Sequence, residues 1–191
     1  VATLDAIFEA TIQLLVAGGI HQLTTTRVAE RAGVSVGTMY QYFPHKESLV
    51  YALNERYLEA LAEKIETTCA SQHGAPIGDM VEALVGTYWR AKTERADVTR
   101  ALYRSVAELD NQPLIDAFAR RVDTATMAMF ASATDVNFKD LHGVNLTLLT
   151  VIFGTVRSAF ERNLPKSAAQ ELQRQLVVMC RAYLAGRASE S

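Results

Sequence analysis

Between Ser35 and Lys46 the chain sets out contact chemistry rather than catalytic chemistry. Ser35, Val36 and Gly37 are small and stand at the start of what reads as a short helix. Thr38, Tyr40, Tyr42, His45 and Lys46 follow, with hydroxyl, imidazole and ammonium donors along one edge. Hydroxyls and helix N-termini are ordinary phosphate-positioning groups. Small side chains let a backbone come close to base edges and phosphates, and the helix dipole favours an anion there. The alternative for Tyr40 is a core aromatic with its hydroxyl at the surface, and for His45 a plain turn residue. No Ser/His/Asp set, paired carboxylates or phosphate-binding glycine loop points to an enzyme. Glu108, Asp110 and His142 could meet as a metal site, but such spacing is common by chance.

The elements that must position these groups all read as helices, and the fold class is all-α. Leu4, Ile7, Phe8, Thr11, Leu14 and Leu15 form one stripe at helical spacing, stopped by Gly18-Gly19. Thr24-Thr25-Thr26 offers N-caps for a helix carrying Val28, Ala29 and Ala32 and ended by Gly33. Ser35 caps a helix to about Tyr40, Pro44-His45 turn, and a long helix runs from about Lys46 to Ala70. Helix, glycine-bearing turn and short second helix make a helix-turn-helix, whose second helix enters the DNA major groove. A helix this short holds itself up poorly, so docking is a reason for it to exist. Lys46 opposes the dipole at its helix start, which favours a role beyond the helix. Residues 1–50 hold three basic groups (Arg27, Arg31, Lys46) against four acidic ones (Asp5, Glu9, Glu30, Glu47), so DNA binding must rest on geometry. Neutral donors make it less salt-dependent than a lysine-rich surface.

The run Thr25-Thr26-Arg27-Val28-Ala29-Glu30-Arg31-Ala32-Gly33-Val34-Ser35, then Gly37-Thr38-Met39-Tyr40-Gln41-Tyr42-Phe43 and Lys46-Glu47-Ser48-Leu49, resembles the N-terminal domain of TetR-family bacterial regulators. Met39 stands where the family more often has leucine. The resemblance implies a homodimer on a palindromic operator, usually a repressor, released by a small molecule bound in the C-terminal domain. It makes Thr26 and Arg27 contacts at the start of the supporting helix. It makes Ser35, Val36, Gly37 and Gln41 the base-facing set, and Thr38, Tyr40, Tyr42, His45 and Lys46 the phosphate-positioning set. Met39 and Phe43 become buried core.

The implied division is 1–48 for DNA binding and 49–191 for ligand binding and dimerisation, with Ser71 to Pro76 as a candidate boundary. Further helices are expected over about 77–94, 97–109, 113–133, 137–163 and 167–186. An apolar pocket is expected from Tyr57, Leu61, Leu84, Tyr88, Tyr103, Phe118, Met127, Phe130, Leu149 and Phe153, with Thr87, Arg104, Arg157 and His142 as polar groups. For any one of these, ordinary core is the alternative, and Arg157 reads first as a surface arginine. The helix over 137–163 is apolar on two sides and must be covered on both. That points to dimerisation through Leu148, Val151, Thr155, Ala159, Leu172, Leu176, Met179, Cys180 and Tyr183, against a monomer with a thick core. No cofactor is expected. Cys69 and Cys180 lack disulfide or metal spacing, which suits a reducing cytoplasm. The apolar run Leu146 to Val156 reads as too short for a bilayer, and no signal-peptide pattern opens the chain. Because it opens on Val1 rather than Met, further native residues are expected before it.

Overall fold

The computed structural model describes residues 2–106, 111–162 and 164–188, among which there is no strand. The helices are α1 (Ala2–Gly18), α2 (Thr25–Ala32), α3 (Val36–Tyr42), α4 (Lys46–Ser71), α5 (Ile77–Thr93), α6 (Ala96–Val106), α7 (Gln112–Ala131), α8 (Leu141–Glu161) and α9 (Lys166–Arg187), with a 3-10 turn over Ile20–Gln22. They form two compact units. One holds the chain up to Glu59 with Arg95–Ile115; the other holds Ala60–Glu94 and the chain from Asp116. This differs from a division at residue 48. Leu49, Val50 and Leu53 of α4, with Val98 and Leu102 of α6, are buried in the N-terminal core, so both helices contribute to that unit.

In the first unit, α1 packs on α2 and α6, and α2 on α3. Ile7, Phe8, Leu14, Leu23, Val28, Met39 and Phe43 fill the core. Of the three threonines, Thr24 is the cap of α2; its side chain accepts the Arg27 amide at 3.2 Å. Gly33 ends α2 in the left-handed region at φ 69°, its N–H bonded to the Ala29 and Glu30 carbonyls. A side chain there is strained, which fixes the turn between the two short helices.

In the second unit α5 packs on α8 and α9, and α8 on α9. Ile65, Met80, Leu84, Val122, Phe130, Leu148, Ile152 and Leu176 are buried. Pro76 offers α5 no side-chain cap, and Asp135 supplies one by accepting the Ile77 amide at 2.8 Å. Helix α8 begins at Leu141 rather than 137, because Asp140 accepts the Gly143 amide at 2.9 Å and sets the boundary. The expected end of α6 at 109 lies outside the described residues. By length and composition α8 could cross a membrane, so the short-run expectation fails on length. Much of it is packed inside the unit, however, where the buried Asn145 donates to Asp123 at 2.7 Å. That is how a core helix behaves.

Candidate nucleic-acid interface

The cap of α3 is a closed pair. Ser35 Oγ accepts the Thr38 amide at 2.9 Å and lies 2.8 Å from Thr38 Oγ1. Met39 and Phe43 turn inward as expected. Val36, Gly37, Tyr40, Gln41 and Tyr42 are exposed, as are Thr26, Arg27, Ser35 and His45; Thr38 and Lys46 are half-buried. Tyr40 is therefore no core aromatic. The eleven expected contacts thus share one unit, nine exposed and two half-buried. Val36, Tyr40 and Tyr42 leave three large side chains in water on one seven-residue helix.

His45 does two jobs. Its Nδ1 accepts the Ser48 amide at 3.1 Å and its carbonyl accepts Ser48 Oγ at 2.7 Å, so it starts α4. The ring stays exposed. The two cations are held by the turn before α2: Arg27 Nη1 donates to the Gln22 carbonyl at 2.6 Å and Lys46 Nζ to the Ile20 carbonyl at 3.5 Å. Each keeps donors for another acceptor. Sequence reading missed this latch, because no pattern marks a carbonyl as an anchor.

The expected pocket set divides. Tyr57, Tyr103 and Arg104 belong to the first unit, where Tyr57 Oη lies 3.2 Å from Thr99 Oγ1 and burial pushes its phenol up to about 12. Leu61, Leu84, Thr87, Tyr88, Phe118, Met127, Phe130, Leu149, Phe153 and Arg157 belong to the second. There Tyr88 stacks on Phe153 at 4.2 Å, and Phe118 lies 6.0 Å from the same ring. Arg157 is a surface arginine paired with Glu161 at 2.7 Å, and His142 is exposed. Thr87 bonds with Thr68 at 2.9 Å and lines an open groove of about 850 Å³ with Lys64, Arg90 and Glu94. Lys92 is the polar group missed: 2% exposed, with its ammonium 5.5 Å from the Tyr88 ring centre. Its place in the α5 stripe Val81, Leu84, Val85, Tyr88 and Trp89 was the signal.

Four of the nine expected dimer residues need correction. Leu148, Ala159, Leu176 and Cys180 are buried within the unit, and Val151, Thr155, Leu172 and Tyr183 are half-buried; only Met179 is exposed. The outward stripes are offset along each helix, with Leu146, Thr150 and Gly154 on α8 and Gln175, Val178, Met179 and Ala182 on α9. Leu146 is 57% and Val178 60% exposed. Both cysteine thiols are buried, which pushes each up to about 11 and leaves them unreactive. Glu108 and Asp110 lie outside the described residues, and no group of three metal-ligating side chains occurs among those described.

Fold and site define an all-α helix-turn-helix protein with a second helical unit. The model for bacterial regulatory proteins of the tetR family matches residues 7–53, and that for the tetracyclin repressor-like C-terminal domain matches 76–184. The chain belongs to the TetR family. It is 33% identical over 104 residues to the HTH-type transcriptional repressor KstR of Mycolicibacterium smegmatis, 54% of this chain and 50% of that protein. To the nucleoid occlusion factor SlmA of Haemophilus ducreyi it is 30% identical over 96 residues, 50% of this chain and 46% of that one. The chain spans about half the length of these relatives. A TetR-family regulator from Mesorhizobium loti superposes with a TM-score of 0.78 at 20% identity, covering 98% of this chain and 97% of that one. SmeT in its triclosan complex gives 0.74 at 18%, covering 100% and 94%. These two likenesses are of fold.

Proposed function

We propose that this chain is a cytoplasmic DNA-binding transcriptional regulator, a repressor that grips a palindromic operator as a homodimer and is released by a small, largely apolar effector. The observation that carries this reading is the exposed face of α3, with Val36, Tyr40 and Tyr42 outward above a buried Met39. Ser35, Val36, Gly37 and Gln41 face bases; Thr26, Arg27, Thr38, Tyr40, Tyr42, His45 and Lys46 hold phosphates. The similarity to KstR, a transcriptional repressor by name, supports repression. The fold shared with triclosan-bound SmeT supports an apolar effector in the second unit. The outward stripe through Leu146, Val178 and Met179 supports pairing of two copies, because a monomer leaves it in water. Helix α4 runs unbroken from Lys46 to Ser71, from the reader's turn into the second unit. Effector binding tilts it and alters the spacing of two readers set for half-sites a turn or multiples apart, about 34–36 Å for one turn. The effector shifts that balance only by its differential affinity for the two states.

Gel-shift against the intergenic DNA beside its own gene is the first test, and DNA that stays unshifted at micromolar protein sinks the reading. Arg27→Gln then lowers the slope of log affinity against log salt by about 0.9 per lost phosphate contact, about 1.8 per dimer. An unchanged slope would show Arg27 to be a purely structural group. Gly37 separates folding from reading. It is helical, and a Cβ there would meet only Ser35 Oγ at 3.8 Å. Gly37→Ala therefore raises stability by about 0.5–1 kcal/mol, yet weakens operator binding by holding the backbone off the groove. Thermal unfolding and gel-shift on the same variant check both halves.

A further inference from the structure

The hydrogen-bonding capacity of the reader can be counted side chain by side chain. Ser35 Oγ is taken up by the Thr38 amide and hydroxyl, which leaves the pair one proton for an outside acceptor. Gly37 has no side chain, and Met39 is wholly buried. Val36, the first residue of α3, is 41% exposed and carries no polar atom. An aliphatic side chain in that place is wasted on water and on phosphates alike.

We infer that Val36 reads the C5-methyl group of a thymine in each operator half-site. The inference rests on the DNA-binding reading above and narrows it to one base edge. In the major groove the base edges present donors and acceptors and a single methyl group, that of thymine; cytosine has only a bare C5–H in its place. Valine set against any other edge desolvates a polar group without replacing its hydrogen bond. Against the methyl it buries apolar surface on both sides. Its position fits, because residues at the N-terminal end of a reading helix contact base edges. Gly37 beside it adds no bulk to hold the helix away. Gln41, exposed further along, carries the amide that can pair with adenine. The half-site is thus read by one methyl contact and one amide, with little charge involved.

The experiment selects operators from random duplex DNA with the full chain, then replaces each thymine in turn by deoxyuridine, which removes only the methyl. One thymine per half-site should weaken binding about four-fold when replaced, and about fifteen-fold when both half-sites change. Val36→Ser should bind more weakly and be indifferent to that replacement, while Val36→Thr, which keeps one γ-methyl, should retain part of the sensitivity. Thermal unfolding midpoints close to that of the unchanged chain check that both variants keep α3 packed on its core. The inference is overturned if the protein binds its selected DNA and no thymine methyl matters, or if Val36→Ser keeps the full sensitivity. Failure to select any DNA would instead overturn the DNA-binding reading itself.

Discussion

Between pH 7 and its ordinary value of 10.5, Lys92 should make the protein's stability climb by about 3–5 kcal/mol relative to a Lys92→Met variant. Burial removes water from the ammonium and pushes its pKa down to about 7. Below pH 7 the lysine is protonated in both folded and unfolded chains, and the whole cost of dehydrating the charge falls on the folded state. Above pH 7 the folded protein sheds the proton while the unfolded chain still binds it. Stability then rises with pH until the unfolded lysine also titrates. The Tyr88 ring at 5.5 Å favours the cation and opposes only part of this. Urea unfolding of both proteins across the window, at one fixed protein concentration, measures the difference. Parallel profiles would mean that water or a bonded partner keeps the ammonium charged.

Met39→Ala should cost about 2–5 kcal/mol and remove operator binding with it. Met39 is wholly buried, in a cluster with Val28, Phe43 and Leu49. Its amide donates to the Ser35 carbonyl and its carbonyl accepts the Phe43 amide, each at 2.9 Å. A helix of seven residues does not stand alone in water, so this side chain is what ties the reading surface to the unit. Met39→Leu conserves volume and should cost less than about 1.5 kcal/mol, with affinity kept. Comparing unfolding midpoints and gel-shifts of the two variants isolates packing from polarity. Equal behaviour of Ala and Leu would show that the reader is held by its turn instead.

The helix-turn-helix was legible because local chemistry decides it. Gly33 marks a positive φ, Ser35 a cap, and Met39 and Phe43 an inward face, all within eleven residues of sequence. The start of α8 was less legible: the apolar pattern fades gradually while Asp140 ends it sharply. Part of the expected dimer face on α8 and α9 was misplaced for a different reason. Both faces of α8 are apolar, and periodicity alone cannot say which is covered by the same chain. Leu148 was assigned outward and lies inside, whereas Leu146, two residues earlier, is in water. Tyr57 and Tyr103 fall in the first unit and Tyr88 and Phe153 in the second, a division that aromatic composition does not show. Lys92 was passed over because a lysine is read as surface unless its place in the stripe is weighed.

On the proposed DNA-binding reading, the turn over Ile20–Gln22 is a handle on operator grip that lies outside the contact set itself. Its carbonyls fix the heads of Arg27 and Lys46, so on that reading those cations have less freedom to lose on meeting phosphate. Gly19, which opens the turn at φ 69° and ψ −179°, occupies a region essentially confined to glycine. A side chain there would slacken both heads while leaving every DNA-facing group chemically intact. Damage of that kind escapes any survey that maps only the atoms shielded by the duplex.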